Sequence, residues 1–292
     1  MDRFLQLNTI FISIVIEAVP FIVIGAFIAA LIEVFVSEQM ILKFMPKNRY
    51  LSVVAASLMG IVYPGCECGI VPICARLVKK KLPLPSAISF MLAGPIVNPI
   101  VLFSTFIAFG NSWTMVGYRF GFAVVISILV GLILSFVIKE DQLKIDIIHN
   151  HEHVHDHSEQ NLKQKLSSLI THTIDEFINV GKYLVMGSLI AAAMQTYIPT
   201  STLVTFGHTK ALAALMMMAL AFVLSVCSEA DAFIASSFRN IFPQSSLTTF
   251  MVYGQMVDIK NLLMMFGEFK PKFVVLLVSL ISTLVFVGSL LL

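Results

Sequence analysis

The run YPGCECGIVP, residues 63–72, sets two thiols on either side of a carboxylate inside sequence that is otherwise apolar. Thiolates are soft donors that suit Cu(I), zinc and other thiophilic species. Two sulfurs two residues apart converge on one ion wherever the backbone turns between them. Gly65 and Gly69 give that freedom, while Pro64 and Pro72 limit how far a regular helix runs through it. Cys66 and Cys68 are therefore the candidate ligands for a soft metal or a trivalent metalloid, with Glu67 beside them. Cys74 and Cys227 each stand alone in apolar surroundings and read as small buried hydrophobes.

Further carboxylates fall in apolar stretches, namely Glu17, Glu229, Asp231 and Asp258, with Lys182 and Lys260 as partners. An ionised group at mid-bilayer costs about 2.5–3.5 kcal/mol on insertion scales, so such residues usually line a cavity and act there. Loss of water favours the neutral form of a carboxyl, which suits Glu229, Asp231, Asp258 and Glu17 to proton coupling. Lys182 is long enough to snorkel to a membrane edge, and Lys260 is spaced to neutralise Asp258. AGPIVNP, residues 93–99, adds Gly94, Pro95 and Pro99, which interrupt a helix around Asn98. Broken helices commonly hold transporter cargo, so Glu67, Asn98, Gly94 and Pro95 form the expected substrate pathway. HNHEHVHDH places His149, His151, His153, His155 and His157 at every second position. Extended, the five rings point one way and make a weaker metal site; a plain solvated loop is the alternative.

The elements that must hold these residues follow from composition. The chain has 292 residues, 58% hydrophobic and only 12% charged, against about 25% charged in ordinary soluble domains. Its mean hydropathy is +0.92. That reads as an all-α polytopic integral membrane protein. A net charge of +2 excludes a nucleic-acid surface, and four cysteines make no secreted disulfide framework. A span needs about 20 apolar residues, which gives about eight candidates: 9–36, 51–75, 84–109, 116–138, 177–198, 210–235, 247–266 and 272–292. The second and sixth carry polar and small residues and read as broken or re-entrant. The N-terminal apolar run outlasts a signal peptide's core of roughly 7–15 residues and reads as a retained first span.

One polar stretch, about 139–170, divides the chain into a first membrane repeat (1–138) and a second (171–292). VIGAFIAA at 23–30 resembles VMGSLIAA, 162 residues later, and at that offset Glu67 falls on Glu229. FMLAGPIVN at 90–98 falls on FMVYGQMVD, 160 residues later, which aligns Asn98 with Asp258. Eight full spans make the repeats parallel; one re-entrant segment in each half makes them inverted. Loop charges, ten basic residues against seven, place both termini and the His-rich linker in the cytoplasm of a multi-pass cell-membrane protein.

No phosphate-binding loop, HExxH or Gly-x-Ser-x-Gly elbow is present, so neither ATP-driven work nor an enzyme is expected, and nothing calls for a cofactor. The run PGCECGIVPICARLVKKKLPLPSAISFMLAGPIVNP (64–99) resembles the signature of the ArsP-type predicted permeases: C-x-C-G, a proline, a basic cluster, then A-G-P-x-x-N-P. SEADAFIASS (228–237) resembles the second-half motif of that family. The resemblance implies a permease, with relatives that export trivalent organoarsenicals, and a second small membrane subunit in some bacteria. The resulting expectation is proton-coupled export of a thiophilic metal, metalloid or related small solute. Its partners are the cargo, the bilayer, a second subunit or further copies of the chain. The alternatives are a permease for a small organic or sulfur-containing solute, a thiol oxidoreductase using Cys66 and Cys68, and a non-transporting scaffold.

Overall fold

Within a bilayer every backbone N–H and C=O must be satisfied inside the chain, which drives apolar runs of this length into helices. The computed structural model describes residues 2–35, 46, 48–63, 67–138, 142–143, 162–197 and 209–292. Cys66 and the tract His149, His151, His153, His155 and His157 lie outside the described residues.

In chain order the helices are α1 (Asp2–Phe35), α2 (Arg49–Met59), α3 (Glu67–Lys79), α4 (Leu84–Val97), α5 (Pro99–Ala108) and α6 (Trp113–Val137). The second half continues with α7 (Leu162–Tyr197), α8 (Lys210–Leu224), α9 (Asp231–Ser237), α10 (Gln244–Met256), α11 (Ile259–Glu268) and α12 (Pro271–Leu291). Capping sets many boundaries. Asn48, Ser112, Thr209 and Asp258 each accept a backbone N–H at a helix start, and prolines open α5 and α12 where a missing N–H costs nothing. Among the described residues, α1, α6, α7 and α12 are each long and apolar enough to cross a membrane, and α4 with α5, bent by 40°, add a fifth if the bent pair is one span. The protein is an all-α integral membrane protein.

Four of the eight expected segments are thus single helices. The other four are each two short helices meeting at a break, because Pro, Gly and polar residues interrupt them mid-run. α7 begins at Leu162, so its first turns fall within the stretch read from sequence as linker.

The contacts give the path of each element. α2 and α4 run side by side in the same sense: Ser52 Oγ bonds Ser86 Oγ at 2.8 Å, and Gly60 packs on Gly94. α3 ends where α4 begins, so α2 and α3 form a helical hairpin whose tip, around Tyr63 and Glu67, lies level with the α4–α5 break. The second half repeats this course. Lys210 and Gln244 line one pocket at the starts of α8 and α10, Ala221 meets Gly254 further along, and α9 turns back to the start of α10. A second hairpin, α8 and α9, therefore has its tip at 225–230, level with the α10–α11 break.

The two hairpins enter from opposite ends of the bundle. Tyr118 of α6 and Leu292 share a pocket with Lys210 and Gln244, and Lys210 Nζ donates to the Leu290 carbonyl at 3.1 Å. The start of α6 thus lies beside the end of α12. Arg3 lies over the Tyr197 ring, 6.0 Å from its centroid, so α1 and α7 are also antiparallel. At the other end the Lys270 N–H bonds the Gln142 carbonyl at 2.9 Å and Leu143 bridges Phe269. Both chain ends therefore lie at one end of the bundle and the flanks of the linker at the other. The expectation that termini and linker share one face is not met, because it counted both hairpins as full crossings.

Small residues permit the close packing. A Cβ on Gly25 of α1 would stand 2.5 Å from the Gly69 Cα, and one on Gly187 of α7 would stand 2.9 Å from the Lys260 Cα. Both are backbone atoms that cannot rotate away. Gly25→Ala should lower stability by about 1–3 kcal/mol through overpacking. Gly117→Ala, with nothing within 4 Å of the added carbon, should be neutral or raise stability by up to about 1 kcal/mol from helix propensity. Reversible unfolding of both variants in mixed micelles checks the contrast.

Candidate functional site at the helix breaks

The two hairpin tips and the two helix breaks meet at one level, and the chemistry expected from the sequence collects there. Glu67 opens α3 and is fully buried. Its Oε1 lies 3.7 Å from Lys260 Nζ and accepts from the Cys68 thiol at 3.9 Å. Its Oε2 has no hydrogen-bond partner among the described residues. Lys260, in the first turn of α11, also stands 3.7 Å from Asp258 Oδ2 and is 1% exposed. The ammonium sits between two carboxylates, beyond hydrogen-bond length from either. The Cys68 thiol meets the same carboxylate oxygen that faces Lys260, and Cys227 is buried in the second tip. Pro72 lacks the N–H that would bond the Cys68 carbonyl, which leaves the α3 backbone open one turn from the tip.

Asp258 caps α11 by accepting the Asn261 N–H at 2.6 Å, and it accepts Ser225 Oγ at 2.6 Å. Ser225 ends α8 at φ +48°, a left-handed conformation that non-glycine residues hold only under constraint. Asn98 does the matching job in the first half: Oδ1 accepts the Ile100 N–H at 2.8 Å and Nδ2 donates to the Tyr63 carbonyl. Tyr63 and Ser225 are 162 residues apart and Asn98 and Asp258 are 160 apart, so each half ties its hairpin tip to its helix break at corresponding positions. Gly94 lies against Ile70 and the Tyr63 ring, and Pro95 is buried next to it. Gly94 thus packs directly on the first hairpin. Asn98→Ala should lower stability by about 0.5–2 kcal/mol from loss of the cap alone, with a further loss from the missing Nδ2 bond to the Tyr63 carbonyl. Asn98→Ser, which can still cap, should recover part of that in the same unfolding measurement.

The remaining expected residues are dispersed. Asp231 is buried and held by Arg119, with Nη1 and Nη2 each 2.8 Å from a carboxylate oxygen, and by Gln255 Nε2 at 2.9 Å. Glu229 is half-buried in the second tip, where Ser228 Oγ donates to it at 3.4 Å. Glu17 is exposed on α1. Lys182 is likewise exposed and bonds Asn179 at 3.2 Å. Cys74 is buried within α3. Among the described residues no three of His, Cys, Asp and Glu converge to hold a metal ion.

The sequence reading missed the central place of Lys260 and the burial of Arg119. The seven basic residues on the second side in the loop count include Arg119, yet it lies in the second turn of α6 and is fully buried. An arginine among WTMVGYRFGF, with apolar residues on both sides, was the available signal, because a guanidinium at that depth needs an acidic partner.

A helical membrane protein whose two discontinuous helices and two hairpin tips enclose buried charge has the plan of a transporter core. A family model described as predicted permease, ArsP_1, matches residues 3–292. The chain belongs to that predicted permease family. It is 55% identical over 290 residues to UPF0718 protein YcgR of Bacillus subtilis, covering 99% of this chain and 98% of the relative. A protein of Streptococcus mutans, whose name describes a two-component membrane permease complex subunit, is 43% identical over 283 residues, covering 97% of this chain and 93% of its own. UPF0718 protein MJ0584 of Methanocaldococcus jannaschii is 28% identical over 141 residues, 48% of this chain and 38% of that protein. No solved structure matches the chain.

Proposed function

We propose that the chain is a proton-coupled secondary permease of the cell membrane that exports a thiophilic metal, metalloid or related small solute. Its two halves, 1–138 and 171–292, are inverted repeats, and the cargo binds where the hairpin tips meet the helix breaks. Antiparallel packing of α1 with α7 and of α6 with α12 supports the inversion, since both pairs hold corresponding places in the two halves. One observation carries the site: Glu67, wholly buried at a hairpin tip, has one oxygen without a partner among the described residues while Cys68 and Lys260 face the other.

Glu67 and Asp258 face a single ammonium, so the cluster carries one carboxylate charge in excess. A proton or a cationic cargo neutralises it, and exchange between the two couples their movements. Cys68, with Cys66 beside it in sequence, supplies sulfur to a thiophilic cargo. Asp231 is already paired with Arg119, so Glu67 is the foremost carrier of the coupling proton, with Glu229, Asp258 and Glu17 as the further carriers to test. The name of the S. mutans relative supports a second subunit working with this chain.

The central ammonium and the absence of a three-ligand metal cluster among the described residues favour a second reading, a small solute with an anionic or sulfur-bearing group docked on Lys260. Proteoliposomes loaded with thiophilic metals, metalloids or small sulfur-containing anions, under an imposed pH gradient, separate the two. Gradient-accelerated flux of the first group, lost in Cys68→Ser, supports the primary reading. Flux of the anions that survives Cys68→Ser and is lost in Lys260→Gln supports the second.

A further inference from the structure

Two buried ion pairs lie outside the central cluster, and each ties one hairpin to the opposite half of the chain. Arg76 of α3 pairs with Glu176 of α7. Arg119 of α6 pairs with Asp231 of α9 through both guanidinium nitrogens, and it also donates to Thr105 Oγ1 at 2.8 Å and to the Ser228 carbonyl at 3.2 Å. All four charged side chains are buried.

The pairs lie on opposite sides of the breaks. Arg76 is nine residues along α3 from the first tip, towards the linker end of the bundle. Arg119 is in the second turn of α6, towards the end that holds the chain termini. They are not copies made by the internal repeat, since the 162-residue offset carries Arg76 onto Phe238. Stability is a poor reason to keep them, because a buried ion pair is often no more stabilising than apolar side chains of the same volume. What the two share is position: each joins a hairpin arm to the half from which that hairpin must separate for its tip to be reached.

We propose that Arg76–Glu176 and Arg119–Asp231 are side-specific latches. While a pair is intact its hairpin is closed, and the transport cycle releases one pair at a time. Release of Arg119–Asp231 opens the central cluster to the face bearing the chain termini, and release of Arg76–Glu176 opens it to the linker face. The inference rests on the permease reading, but its test needs no cargo, so the two fail independently.

The test uses the full-length chain in membrane vesicles of both orientations, exposed to a membrane-impermeant maleimide, with each labelled cysteine identified by peptide mass spectrometry. Arg119→Gln should raise Cys227 labelling at least about tenfold from the terminal face and leave the linker face unchanged, a shift in population towards one open state. Arg76→Gln should raise Cys68 labelling from the linker face alone. The charge-reversed pair R119D/D231R should return Cys227 to the native level. If Arg119→Gln unfolds the chain, Cys74 becomes labelled from both faces as well; Asp231→Asn, which can still accept from Arg119, then carries the test with a smaller rise of the same sidedness. Labelling that rises from both faces together, from the wrong face or from neither overturns the proposal.

Discussion

Replacing Lys260 by methionine is expected to abolish transport and to lower stability by about 3–5 kcal/mol, the cost of leaving buried charge without its partner. Among the described residues Lys260 is the ion-pair partner of both Glu67 and Asp258, which are fully buried. Neither carboxylate can turn to solvent in its place: Asp258 is held by the Ser225 hydroxyl and the Asn261 N–H, and Glu67 is fixed by the start of α3. The double substitution E67Q/K260M removes one charge of each sign, so most of the lost stability should return while transport stays absent. Lys260→Arg keeps the charge but changes a compact ammonium for a planar fork, and should fold with transport reduced. Unfolding in mixed micelles and flux in proteoliposomes read the two effects separately. A K260M protein as stable as the native chain would mean that Glu67 is not held by this lysine.

The second large effect is at Arg119. Arg119→Ala leaves Asp231 with the Gln255 amide and takes a donor from Thr105 Oγ1 and from the Ser228 carbonyl. The expected loss is again about 3–5 kcal/mol. Arg119→Met with Asp231→Leu replaces both charges by apolar side chains, and stability should recover to within about 1 kcal/mol of native or exceed it. The recovered protein would still lack the latch, so its cysteine labelling should remain open from the terminal face. Stability and sidedness then separate in one variant, which a purely structural role for the pair does not allow.

Much of the plan was legible in the chain. Composition alone dictated helices in a bilayer, and Pro64, Gly65, Gly69 and Pro72 marked the first hairpin as something other than a plain span. Asn98 and Asp258, aligned by the internal offset, both prove to be caps at helix breaks bonded to a hairpin tip. Glu67 and Glu229 aligned as well, yet their surroundings differ: one is buried beside Lys260 and the other half-buried in a turn. The offset preserves backbone course, whereas burial depends on neighbours from distant sequence.

Lys260 and Arg119 show the limit of reading charge locally. Lys260 looked like a neutraliser for Asp258, two residues away, because its other carboxylate partner, Glu67, is 193 residues distant in sequence. Arg119 looked like part of a loop because it stands near the start of a span, and its partner lies 112 residues on. Glu17 differs again, since a carboxylate in an apolar run suggested the transport path while its side chain is exposed on α1. Helical periodicity says which face a residue occupies but not what that face meets.

The central claim is that the cluster around Glu67, Cys68 and Lys260 is reached by water and cargo from each side of the membrane in turn. The most direct measurement is modification of Cys68 in the otherwise native chain by a membrane-impermeant thiol reagent, applied separately to each face while a pH gradient of either sign is imposed. Reaction from both faces, with the favoured face reversing when the gradient is reversed, is the predicted result. Reaction from neither face, or from one face whatever the gradient, would contradict it.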